Sequence, residues 1–117
     1  MSENIEAISI VDNFLEHSRV YIFGNEGNPE VFISSADFMR RNLDGRVEVT
    51  CPIYDEDIKK ELIDTFDIGW KGNVKARFHS DKFDNKYRIR GNNPLFRAQS
   101  ETYNYYLQKM EVHAEIV

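Results

Sequence analysis

Apolar positions recur along this chain in short blocks, and the spacing changes from one block to the next. Ile8, Ile10, Val11, Phe14 and Leu15 fall at helical spacing, which predicts an amphipathic helix over residues 6–16 that ends near His17. Residues 19–23 (RVYIF) are dense in β-branched and aromatic side chains and predict a strand. The turn cluster GNEGNP at 24–29 separates it from a second strand at 31–33, so the pair reads as a hairpin. Ser34, Ser35 and Asp37 then offer capping side chains to a short helix around residues 38–42. Residues 46–51 alternate and predict a third strand, closed by Pro52.

The acidic run 55–57 opens a helix through about residue 66, with Ile58, Leu62, Ile63 and Phe66 on one face. Three carboxylates in its first turn suit the positive end of the helix dipole, and they lack the spacing of a calcium loop. Residues 73–78 and 86–90 predict two further strands, 91–94 a loop, and 96–110 a terminal helix with Tyr103, Tyr106, Leu107 and Met110 spaced for burial. No repeat, linker or low-complexity segment interrupts the chain, so residues 1–117 read as a single domain. Interleaved strands and helices predict an α/β class, with one mixed sheet packed by helices.

Composition narrows the compartment. The chain has 117 residues, 41% hydrophobic and 13% aromatic, which excludes global disorder. No apolar run approaches the roughly 18 residues of a membrane span, and the polar start MSENIEA does not have the form of a signal peptide. The single cysteine, Cys51, rules out an internal disulfide and a CxxC knuckle, and a cytoplasmic location is expected. Cys51 and Trp70 are expected in the core, while His79 and His113 receive no role.

Charge is unevenly placed. The formal net charge is −5, yet residues 71–97 hold eight basic and two acidic side chains. Such a run is either a solvated face or a patch for a polyanion, and the acidity of the whole chain argues against a general nucleic-acid binder.

One constellation points to phosphate chemistry. His17 and Arg19 are two residues apart and leave one face of the chain wherever it is extended. A neutral imidazole suits nucleophilic attack on phosphorus, and a guanidinium binds the charged oxygens. Ser34, Ser35 and Asp37 sit where a strand meets a helix, a junction that favours anions, and Arg41 and Asn42 follow with a charge and an amide. Taken singly, these residues read as a helix-end histidine, a helix cap and surface arginines. Their order and spacing together suggest phosphoryl transfer.

The order His-x-Arg, hairpin, Ser-Ser-x-Asp resembles a variant of the histidine motif of the phospholipase D superfamily. More specifically, the runs SIVDNFLEHSRVYIFGN and VFISSADFMRRNLDGRVEVTCPIYD, with IKKELID, NVKAR, YRIRGNNP and RAQSETYNYY, resemble the last catalytic domain of bacterial polyphosphate kinase. The resemblance covers about residues 8–109. It implies a phospholipase D-like domain and a family activity that reversibly moves the terminal phosphate of ATP onto polyphosphate, with ATP and Mg2+ as its requirements. By resemblance, His17 is the family's second active-site histidine, contacting nucleotide phosphates. Arg19, Ser34, Ser35, Asp37, Arg41 and Asn42 line or support the phosphate site, and no metal ligand is identifiable in this chain. Phe38 stands where the family commonly has tryptophan, and the turn GNEGN departs from the usual asparagine-glycine-glycine form. The phosphorylated histidine of the family has no counterpart here, so this chain is expected to be inactive alone, whether it is a fragment or a stand-alone relative. Its expected partners are polyphosphate or nucleotide phosphates and the remaining kinase domains, in cis or in trans, with no membrane and no specific nucleic acid.

Two other functions fit the same residues. A homodimer of phospholipase D-like chains pairs two histidines and cleaves phosphodiesters, although the lysine of that motif is replaced here by Arg19. A non-catalytic polyphosphate-binding module would instead use the 71–97 run, with Arg88 and Arg90 as its principal contacts.

Overall fold

The computed structural model describes residues 3–79 and 84–116, with the side chains of the last helix described to residue 112. Lys82 of the basic run and the side chain of His113 lie outside the described residues. In chain order the elements are β1 (Ile8–Ile10), β2 (Val20–Phe23), β3 (Glu30–Ser34), α1 (Arg40–Gly45), β4 (Thr50–Ile53), α2 (Glu56–Lys71), β5 (Ala76–Phe78) and α3 (Ala98–Ile116). The chain forms two units. One comprises the residues up to Leu15 and from Thr65 onward, and the other is Glu16–Asp64, so the chain passes from one to the other within α2.

In the unit Glu16–Asp64, β2, β3 and β4 form an antiparallel sheet in that order. The predicted hairpin is present, with Val20 opposite Ile33 and Phe23 opposite Glu30. Its turn passes through a 3-10 segment, Asn25–Gly27. Gly27 adopts φ +95°, a left-handed conformation that costs glycine little. Val31 lies on the central strand and is 1% exposed. The third strand is shifted from its expected position. It begins at Thr50 and contains Pro52 opposite Phe32, where a strand closed by Pro52 was expected. The Ser35 amide donates to the Val49 carbonyl at 3.0 Å. Alternation from that bond puts Pro52 at a position whose N–H would point away from β3, which an edge strand tolerates. Cys51 is exposed on this edge rather than buried in the core. The helix α1 starts after Met39, whose side chain makes no cap, so the serines and Asp37 are free for other partners.

The other unit holds a second antiparallel sheet, with Ile8 opposite Phe78 and Ile10 opposite Ala76. The expected helix over 6–16 is therefore replaced by β1 and a bent segment. The alternation Ile8-Ser9-Ile10 matches a strand partner, and two tertiary anchors hold the segment 12–14 beyond it. Asp12, whose side chain is fully buried, pairs with Arg97 at 2.5 Å, and Gln99 bonds both the amide and the carbonyl of Phe14. Neither anchor is local, so helical spacing lost to long-range pairing.

Residues 86–88 run along β5 through an isolated bridge between Tyr87 and Arg77 and backbone bonds from Phe78 to Lys86 and from Arg88 to Ala76. Among the described residues of this unit, Ala76 and Ala98 are the buried apolar side chains. A side chain at Gly72 would meet Gly69 O at 3.1 Å and Ala98 Cβ at 3.2 Å, so glycine permits this close approach. Along α3, Tyr103, Tyr106, Leu107 and Met110 remain exposed rather than buried. His79 follows β5, and its Nε2 lies 2.5 Å from Ser9 Oγ. The mixed α/β class stands, but among the described residues the strands form two antiparallel sheets instead of one sheet. Among the described residues no helix is long and apolar enough to cross a membrane.

Candidate functional site

The β2–β3 hairpin places the start of one strand beside the end of the other. The Ser34 amide donates to the Arg19 carbonyl at 2.9 Å, so residues 17–19 run alongside residues 34–37. Across that junction Arg19 Nε donates to Asp37 Oδ1 at 2.5 Å. A terminal N–H of the same guanidinium donates to the His17 carbonyl at 3.2 Å. Arg19 thus ties the backbone of His17 to the Ser-Ser-x-Asp segment, and the His17 side chain is left exposed.

Hydrogen bonding from Arg19 holds the Asp37 carboxyl below the usual carboxylate range. Burial works against this, and the positive charges of Arg19, Arg41 and His17 reinforce it. Asp37 raises Arg19 in return. The electrostatics therefore bring His17, Arg19, Asp37 and Arg41 into one neighbourhood. Arg41 itself is exposed and makes no ion pair among the described residues.

The two serines and Asn42 are engaged in hydrogen bonds within the unit, and of the three only Asn42 is buried. Ser34 Oγ accepts from the Ala36 amide at 3.1 Å, and it lies 2.9 Å from Thr50 Oγ1 and 3.3 Å from the Val49 carbonyl. Ser35 Oγ accepts from the Val49 amide at 3.0 Å and donates to Glu48 Oε2. Asn42, 3% exposed, donates to the other oxygen of Glu48 at 2.8 Å. Hydrogen bonds from Ser35 and then Asn42 hold the Glu48 carboxyl below its ordinary range, with Arg46 and Arg19 adding to the effect. Glu48 is a candidate-site residue that sequence reasoning missed. Its only signal was a carboxylate in an alternating segment, and its partners are defined solely by strand pairing.

A histidine-x-arginine segment leading into one strand, tied to Ser-Ser-x-Asp at the end of its antiparallel neighbour, defines a phospholipase D-like α/β domain. The family model described as "Polyphosphate kinase C-terminal domain 2" matches residues 1–99, and this chain belongs to that family.

Curated relatives agree. The chain is 49% identical over 113 residues to a polyphosphate kinase of Vibrio vulnificus strain YJ016, covering 97% of this chain and 16% of that protein. To a polyphosphate kinase of Escherichia coli strain K12 it is 49% identical over 105 residues, covering 90% of this chain and 15% of the relative. A crystal structure of polyphosphate kinase from Porphyromonas gingivalis superposes with a TM-score of 0.90 at 41% identity, covering 94% of this chain and 17% of that one. The chain thus spans about a sixth of the length of the relatives it matches.

The resemblance set an expectation of ATP and magnesium. Among the described residues no group of three His, Cys, Asp or Glu side chains is placed to hold a metal ion. The two carboxylates of the site are turned to Arg19 and to Ser35 and Asn42. These residues do not fit a magnesium site.

Proposed function

We propose that this chain contributes one histidine half-site to a polyphosphate kinase, in which His17 and Arg41 meet the phosphates of ATP or of a polyphosphate chain. The Arg19–Asp37 ion pair at 2.5 Å carries this reading, because it holds the two motif segments together and leaves the His17 ring and the Arg41 guanidinium outward. A guanidinium fork matches phosphate oxygens, and an imidazole nitrogen accepts or delivers a proton during transfer. Arg19 presents its Nε edge to Asp37, so its part is to position His17. Ser34, Ser35, Asp37 and Asn42 support the same wall through internal hydrogen bonds. The remaining domains of the enzyme, in cis or in trans, supply the other half of the site and the metal-holding groups, and this chain alone turns over no ATP. The bacterial cytoplasm, where ATP is available, is the proposed compartment.

Calorimetric titration of short-chain polyphosphate into the protein and into His17→Ala tests this. Loss of a charge-assisted contact predicts binding weaker by roughly tenfold in His17→Ala and in Arg41→Ala. Equal affinity in all three proteins would remove His17 and Arg41 from the phosphate site. ATP-dependent chain growth by this protein alone would overturn the half-site reading.

A further inference from the structure

The unit that lacks His17 contains a cationic cavity of its own. It measures about 300 Å³ and is lined by Lys71, Asn73, Arg88, Arg90 and Asn93, with Ile89, Pro94 and Phe96 completing its wall and no carboxylate among the lining residues. We propose that this cavity is a second anion site, for a condensed phosphate chain, separate from the half-site around His17.

Local structure fixes its walls before any ligand arrives. Arg88 donates to the Trp70 carbonyl, and its guanidinium lies 5.9 Å from the ring centroids of Trp70 and Phe78. That contact holds the guanidinium in place and covers a carbonyl at the negative end of α2, which would otherwise repel an anion. The turn after Arg90 is closed by Asn93 Nδ2 donating to the Arg90 carbonyl at 3.0 Å, with Gly91 at φ +60°. Asn73 clamps the far wall, donating to the Pro94 carbonyl and accepting from the Phe96 amide, each at 2.9 Å. A preformed wall lowers the ordering cost of binding.

Lys71 and Arg90 line this cavity, are exposed, and make no ion pair among the described residues. A volume of this size holds on the order of ten waters, which is room for more than one phosphoryl group. A compact, densely charged anion suits three clustered cations.

The test is an amide NMR titration of the whole chain with tripolyphosphate, repeated on His17→Ala, on the double variant Lys71→Ala/Arg90→Ala, and on Arg90→Gln alone. Both substituted side chains are exposed, so unchanged spectra away from the cavity verify folding, and Arg90→Gln serves if the double variant unfolds. The expected result is shifts at residues 71–73 and 88–96 in the unaltered protein and in His17→Ala. For this event, affinity falls at least about tenfold in the double variant and severalfold in Arg90→Gln, as expected when charged hydrogen bonds are removed. Shifts confined to residues 17–19 and 34–42 would overturn the second site. So would affinity within twofold of normal in the cavity variants, or equal shifts from a single-stranded oligonucleotide of matched phosphate count. If shifts at 17–42 vanish while those at 71–96 persist, the half-site fails and the second site stands.

Discussion

Asp37 receives the Arg19 guanidinium and lies in the fields of Arg41 and His17, so its ionised form is favoured in the folded protein. A carboxyl held below its ordinary value of 3.8 contributes stability above that value and loses it as pH falls. Glu48 and Asp12 are lowered in the same sense, so acid weakens several contacts together. The melting temperature should therefore fall as pH drops from about 5 toward 3. Asp37→Asn should melt lower than the unaltered protein at neutral pH and lose less on acidification. Parallel pH curves for the two proteins would remove Asp37 from this role. At this scale the sequence nominated candidates but not their contacts. His17, Arg19, Ser34, Ser35, Asp37, Arg41 and Asn42 were legible from their order along the chain. That Arg19 serves Asp37 depends on the hairpin register, and that Glu48 joins Ser35 to Asn42 depends on β4, so neither has a local signature.

The central strand β3 is where element-scale stability concentrates in the unit Glu16–Asp64. Val31 is opposite Ile22 in β2 and Ile53 in β4, and it is 1% exposed. Deleting two buried methyl groups predicts a loss of about 2 kcal/mol for Val31→Ala, measurable by urea unfolding. A loss indistinguishable from zero would mean that the sheet is not the core of this unit. Elements with dense branched and aromatic residues, such as β2 and β3, were read correctly because their pattern and their turn agree. The segment 6–16 was read as a helix because Ile8, Val11, Phe14 and Leu15 satisfy that period, yet pairing with β5 and the Asp12–Arg97 contact decided otherwise. Pro52 misled in the opposite direction, since a proline that ends an interior strand is tolerated at an edge.

Across the whole molecule, charge is segregated along the chain, and among the described cations of the 71–97 run Lys86 and Arg97 pair with Asp84 and Asp12. Binding of tripolyphosphate should weaken steadily as salt rises from about 0.01 to 0.15 M, because the Debye length shrinks from roughly 30 to 8 Å over that range. Titration at several ionic strengths checks this, and salt-independent affinity would argue against exposed cations as the contacts. Large apolar side chains are exposed in both units, among them Leu15, Phe38, Val47 and Ile89, in a chain that spans about a sixth of the relatives it matches.

By itself the sequence determined the α/β class, the hairpin and the first turns of α2, and it nominated the candidate phosphate-site residues, because these rest on local periodicity, turn chemistry and motif order. Only the tertiary structure decided that β1 is a strand, that the described strands divide into two antiparallel sheets, that the serines and Asn42 bond to Glu48 and Thr50, and that Lys71, Arg88 and Arg90 line one cavity. Each of those outcomes depends on residues far apart in the chain meeting in space, and a pattern read along one window carries no information about such pairings.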